Sequence, residues 1–215
     1  MILMSVNRYH SAMAAATPLA DAKRQAATLH ILTTARHFVV ANGLDVTMDQ
    51  IADASGVSRT TLFRLFGSRD QLIADSFAAA FEDYGSELPA YDPDGDVETW
   101  LRATCDATHR MNARFGPGYW ELTSRPDLSP PLAALERTRN KRSRATMAEI
   151  AGHLWRDQGS SGAVPAALTA TVAAHLSAYF TAAVMTDIGE TWRVASDLAF
   201  EAITCVLHRV SADLA

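Results

Sequence analysis

Two arginines and two threonines, Arg59, Thr60, Thr61 and Arg64, fall within six residues of each other, between Ser58 and Gly67. Each guanidinium offers paired N–H donors that match two adjacent acceptors, such as O6 and N7 of guanine or two phosphate oxygens. Each threonine adds a hydroxyl that donates or accepts, and a methyl. This is the chemistry of polar recognition rather than bond breaking. A catalytic constellation is missing: there is no G-x-S-x-G and no carboxylate pair with a nearby base, and the seven histidines are scattered. Cys105 and Cys205 belong to no CxxC pattern and read as free thiols of a reducing, cytoplasmic compartment. The chain is therefore expected to be no enzyme, with no cofactor and no metal.

The elements that position these side chains are short. Thr47-Met48-Asp49-Gln50 fits a capping box, in which the threonine hydroxyl and the glutamine amide satisfy two orphan backbone donors, and Gly56 ends the helix after about two turns. Ser58 caps the next helix, residues 59–66, which stops at Gly67, and Ser68-Arg69-Asp70-Gln71 is a second capping box. Helices shorter than roughly 12–15 residues are marginal alone in water, so these must be braced by packing. Leu62 and Phe66, four apart, can point inward against Ile51, Val57 and Phe38, which leaves the polar set outward.

Almost every other segment also reads as helix. A first helix begins near Thr17-Pro18 or Asp21, carries Leu29, Leu32, Ala35, Phe38 and Val39 on one face, and stops at Asn42-Gly43. The helix opened at Ser68 shows Leu72, Ile73, Phe77, Ala80, Phe81 and Tyr84 as its stripe. "PAYDPDGD", residues 89–96, is a connection and a boundary candidate. Asp96 caps a helix ending near Gly116-Pro117, a short helix covers 119–123, and Ser129 starts a long one to about Gln158. Two final helices are expected over 165–186 and 191–212. The fold class is all-α, with a three-helix N-terminal domain and a larger helical C-terminal domain. The predicted division is 1–21 flexible arm, 22–67 N-terminal domain, 68–88 connecting helix and 89–215 C-terminal domain.

The net charge of −5 divides into +1 over residues 1–80 and −6 over the rest, so contact with a polyanion belongs to the first third. The N-terminal apolar run is broken by Asn7, Arg8 and His10 and is no secretory signal. Residues 158–186 carry no formal charge, but alanine, threonine and serine dominate them, which reads as a buried helix rather than a membrane span.

Two short helices joined by a glycine-containing turn form the helix-turn-helix pattern. The register over residues 31–72 sharpens it: Gly43, Thr47, Ile51-Ala52, Gly56-Val57-Ser58, Thr61-Leu62-Phe63, Phe66, Arg69 and Leu72 closely resemble the DNA-binding region of the tetracycline-repressor (TetR) family. The resemblance implies a cytoplasmic, homodimeric transcriptional regulator. Such a dimer binds a pseudo-palindromic operator in double-stranded DNA and is released by a small, largely apolar or aromatic effector. An activator or a helical interaction module of the same fold is the alternative. Arg59, Thr60, Phe63 and Arg64 are the expected base-reading residues, and Thr47, Ser58, Thr61 and Arg69 the phosphate contacts. The chain departs from many relatives at Phe63, where they carry tyrosine, at Leu65, where they carry an aromatic or histidine, and at Thr60, where a glycine is usual.

The C-terminal helices are expected to hold the effector pocket and the dimer interface. Candidate pocket residues are Trp100, Thr104, Thr108, Met111 and Phe115 on one helix, Tyr119 and Trp120 on the short helix, Met147, Ile150 and His153 on the long one, and Tyr179. Small residues over 165–186 allow close helix approach, and the expected interface is Leu168, Val172, Leu176 and Phe180 with Leu198, Ala202, Val206 and Val210 of the last helix. "ERTRNKRSRA", residues 136–145, holds five basic residues and reads as a solvated face or as a basic lip for acidic ligands.

Overall fold

The helix boundaries fall where the capping chemistry puts them. The computed structural model describes residues 18–84 and 87–212, so Arg8 and the predicted arm up to residue 17 lie outside the described residues. The described chain is all-α: α1 Pro18–Asn42, α2 Met48–Ser55, α3 Arg59–Phe66, α4 Arg69–Tyr84, α5 Val97–Ser124, α6 Pro130–Asp157, α7 Ala166–His175, α8 Ala178–Ala182 continuing into a π-helical turn Ala183–Asp187, and α9 Trp192–Ala212. At α2 the capping box is complete, with Gln50 N–H donating to Thr47 Oγ1 (3.2 Å) and Thr47 N–H to Gln50 Oε1 (2.7 Å). Ser58 and Asp96 cap α3 and α5 in the same manner, each accepting from the backbone three residues on.

Three local expectations need correction. Ser68 accepts from Gln71 N–H (3.1 Å), but the Gln71 amide turns forward to Asp75 (2.8 Å), one turn ahead, so the second capping box is only half made. Leu29 is 60% exposed; the buried row of α1 is Ile31, Ala35 and Val39, four apart. The helix expected over 165–186 is two helices, bent by 47°. Ser177 accepts from Phe180 N–H (3.1 Å) and its hydroxyl donates back to the Ala174 carbonyl (2.7 Å), so one side chain ends α7 and starts α8. Among the described residues no single helix is long and apolar enough to cross a membrane.

Two cores share α5. The first joins α1 to α4 through Val39, Ile51, Leu62, Phe66, Leu72 and Phe77, and extends onto Met111, Phe115, Tyr119 and Leu122 of the second half of α5. The other gathers Leu101 and Cys105 from the first half of α5 with Leu154 and Trp155 of α6, Leu168 and Val172 of α7, and Phe200 and Ile203 of α9. The first core therefore runs across the predicted boundary between 22–67 and 89–215.

α5 is kinked near its C-terminal end. Gly116 takes φ 55° and ψ −160°, and Pro117 follows it, which removes a backbone donor where the helix bends. Beyond the kink, a Cβ on Gly118 would stand 2.3 Å from the Val39 carbonyl oxygen, so the backbones of α1 and α5 touch there. Three residues on, Glu121 accepts the Leu44 N–H (2.8 Å), and Arg125 pairs with Asp45 (2.9 Å). Gly118→Ala is expected to lower stability by about 1–3 kcal/mol through overpacking, read as a reduced denaturant midpoint.

Candidate functional site

The polar set of α3 stands outward because its apolar set is fixed inward. Leu62 is 0% exposed and Phe66 5%, whereas Phe63 is 40% exposed and Arg59, Thr60 and Arg64 are all exposed. These four fall at i, i+1, i+4 and i+5, one face of two turns. Leu65 packs partly against the first core, which gives that position a structural job. Thr61 is half-buried and tied to the cap: its N–H donates to Ser58 Oγ (3.2 Å) and the two hydroxyls lie 2.9 Å apart.

Arg59 is held in place. Its Nη1 lies 2.8 Å and 3.1 Å from the two Asp49 carboxylate oxygens, and its guanidinium sits 5.3 Å from the centre of the Phe63 ring. Both charged groups are more than half exposed, so the pair is weak, roughly 0–1 kcal/mol, and opens readily for another acceptor. Thr47 is exposed at the N-terminus of α2, where unpaired backbone N–H groups favour an anion. Arg69 differs from its expected exposed role. It binds Asp70 through Nε (2.7 Å) and the Val46 carbonyl through Nη1 (3.1 Å), so it braces the α1–α2 loop. Nothing local in the sequence announced Asp49 as the partner of Arg59.

A cavity of about 460 Å³ lies between α4, α5, α6 and the α7–α8 junction. Of the expected pocket residues it brings together Thr108, Met111, Tyr119, Met147 and Tyr179. The other six are elsewhere. Trp100 donates its indole N–H to the Pro89 carbonyl (3.1 Å) and meets Tyr91 edge-on, while His153 stacks on Tyr91 (3.9 Å between centroids). These rings pin the 89–96 connection onto α5 and α6. Ile150 belongs to the second core, Thr104 is 1% exposed, Trp120 packs on the first core, and Phe115 lies behind Phe81 and Tyr119 (5.5 and 5.0 Å). Of the expected large rings, Tyr119 and Tyr179 line the void, while Trp100, Phe115 and Trp120 pack elsewhere.

The expected dimer row is also corrected in part. Leu168, Val172 and Leu176 are at most 3% exposed inside the chain's own second core, and Phe180 packs partly against it, so these side chains are not on offer to a partner. Leu198 is 42% exposed and Ala202, Val206 and Val210 are half-buried on α9. Beside them, α7 exposes Ala166, Ala170, Ala173 and Ala174.

One buried polar network escaped the sequence altogether. Thr181 Oγ1 donates to the Ser177 carbonyl (3.3 Å) and accepts from Asn112 Nδ2 (3.0 Å), and it lies 2.8 Å from His109 Nδ1. His109 thus meets this hydroxyl through Nδ1, and its Nε2 is buried without a partner among the described residues. Burial pushes the His109 pKa down to about 4, with Asp106 opposing and His175 reinforcing the shift.

The comparisons agree with this geometry. Residues 31–75 match the family described as bacterial regulatory proteins, tetR family. An uncharacterized HTH-type transcriptional regulator of Bacillus subtilis is 29% identical over 110 residues, 51% of this chain; the match spans only about half of that relative, 54% of its length. Among solved structures, a TetR-family transcriptional regulator from Streptomyces coelicolor superposes with a TM-score of 0.63 at 20% identity, covering 86% of this chain and 96% of that one. A TetR transcription regulator from Haloarcula marismortui gives 0.63 at 19% identity, covering 84% and 98%.

Because His109 is neutral in the fold and its pKa falls below the unfolded value of 6.5, its stabilising contribution is complete above about pH 6.5 and is lost as pH falls toward 4. The effect is on the order of 2 kcal/mol between pH 6.5 and 5. Urea denaturation at pH 7 and pH 5 should show that loss in the native chain and a flatter profile in His109→Gln.

Proposed function

For a chain that belongs, through residues 31–75, to the TetR family of DNA-binding transcriptional regulators, we propose a ligand-responsive repressor that binds a pseudo-palindromic operator as a homodimer and is released by a small effector. One observation carries the reading: α4 starts beside the DNA-facing helices and its Ala78 and Phe81 line the 460 Å³ cavity. A ligand in the cavity touches the helix on which the α3 face is mounted.

The division of labour at the DNA follows from exposure. Arg59, Thr60, Phe63 and Arg64 read base edges in the major groove, the ring of Phe63 being suited to a thymine methyl. Thr47, Ser58 and Thr61 hold phosphates, while Arg69 sets the loop that carries Thr47. A single module buries little area, so two half-sites about one turn apart are required. The dimer forms through the outer faces of α7 and α9, where Leu198, Ala202, Val206 and Val210 meet small residues such as Ala170 and Ala174.

Release follows from a population shift. A ligand that prefers a different tilt of α4 pulls the two α3 helices away from operator spacing. The signal runs through rings: Phe81 contacts Tyr119 (5.8 Å) and Phe77 (6.0 Å), and Phe77 contacts Phe115 (6.2 Å). A coupling of ~1–3 kcal/mol, typical of allostery, weakens DNA binding roughly 5- to 150-fold.

Binding to the chain's own promoter DNA should fall steeply with salt. Arg59→Ala and Arg64→Ala should each cost about 1–3 kcal/mol, roughly a 5- to 150-fold loss, and relax sequence preference. Unchanged binding in both variants, or indifference to any DNA, sinks the reading.

A further inference from the structure

Helix α6 buries residues at its two ends and none between Leu135 and Ile150. The row that continues from Leu135, made of Thr138, Arg139, Arg142, Ser143 and Thr146, borders the cavity instead of a packed neighbour. A polar helix face closed inside a domain is costly unless its groups find partners. Here it faces a void whose other walls include Phe81, Met111, Tyr119 and Leu176. The cavity is therefore two-sided, apolar on α4 and α5 and cationic on α6.

Among the described residues, the charge of that wall is not balanced. Residues 136–146 carry five basic side chains and one acidic one, in a chain of net charge −5. The acidic one is already used: Glu136 binds Arg139 through Nε and Nη2, both at 2.6 Å, and Arg139 Nη1 reaches Tyr119 Oη at 3.3 Å. Arg142 and Arg144 line the same cavity, are exposed at its mouth, and have no hydrogen bond or ion pair among the described residues. None of the described residues lining the cavity is acidic. A guanidinium beside a partly shielded cavity attracts an anion more strongly than one in open water, and it matches a carboxylate with two donors.

We propose that the cavity takes an amphipathic organic anion, with its carboxylate against Arg142 and Arg144 at the mouth and its apolar body against Phe81, Met111 and Tyr119. This rests on the cavity being the effector site of the regulator. Tyr119 is the joint between the two sides: its ring lies 5.8 Å from Phe81 and 5.7 Å from the Arg139 guanidinium, so a ligand that fills the apolar side also presses on the cationic wall.

The test titrates the full chain with decanoate, 2-naphthoate and indole-3-acetate, and with the neutral amide of each, by calorimetry. At least one carboxylate should bind tenfold or more tightly than its amide. The preference should vanish in the double variant Arg142→Gln, Arg144→Gln and persist in Arg142→Lys, with thermal unfolding unchanged because both side chains are exposed. Equal binding of acid and amide, a preference that survives the double glutamine variant, or no binding by any of the three acids overturns the inference. Operator release is measured separately. Charge-dependent binding that leaves DNA affinity unchanged keeps the anion site and removes the regulatory reading; release by amides and acids alike does the reverse.

Discussion

The contact between α1 and α5 at Gly118 governs the arrangement of everything else. The Val39 carbonyl occupies the space where a side chain at position 118 would stand, so two helix backbones touch without intervening atoms. That approach brings Glu121 and Arg125 onto the loop after α1, where they hold Leu44 N–H and the Asp45 carboxylate. The next carbonyl pair in that loop, Val46, is held by Arg69 at the start of α4. Three residues of the loop, Leu44, Asp45 and Val46, are thus clasped from the end of α5 on one side and from the start of α4 on the other. Thr47 and α2 follow directly, and α3 packs on α2. The orientation of the exposed α3 face relative to the body of the protein is set by hydrogen bonds rather than by a flexible linker.

The stretch of α5 around the kink also supplies Phe115 and Tyr119 to the ring cluster around Phe81. Residues 115–125, on either side of the Gly116 kink, therefore serve two neighbours, the cavity and the α1–α2 loop. The Arg125–Asp45 pair lies at the surface, and Arg125 holds the Asp45 carboxyl below its usual range. Its contribution is geometric more than energetic, since exposed pairs stabilise little.

The N-terminal third was legible because its determinants are local. The Thr47 cap, the Ser58 cap and the inward pair Leu62 and Phe66 each depend on residues three or four apart, and the structure has them where spacing puts them. The C-terminal part was legible as helices but not as surfaces. An apolar row such as Leu168, Val172 and Leu176 carries no mark that tells burial against the same chain from burial against another. Trp100 and His153 looked like pocket walls by size, yet Tyr91, from a connection that sequence treats as spacer, claims both. Arg69 looked free because nothing in a sequence tells that the Val46 carbonyl will stand beside it. The fourteen-residue gap in the buried row of α6 was visible in the sequence as "ERTRNKRSRA", but only its position over a void separates a solvated face from a cavity wall.

The Asp49–Arg59 pair has a consequence for how such a protein moves among sequences. Asp49 lies at the start of α2, near where a phosphate backbone would pass, and its charge offsets that of the nearest exposed arginine. On arbitrary DNA the phosphates gain little from an arginine already occupied, and the carboxylate repels them. Where two acceptors such as those of guanine are presented in the groove, the guanidinium has a reason to leave Asp49. If Arg59 reads a base as proposed, the pair would discount residence on the genome's many irrelevant sites more than on the matching one, and occupancy depends on that ratio rather than on tightness alone.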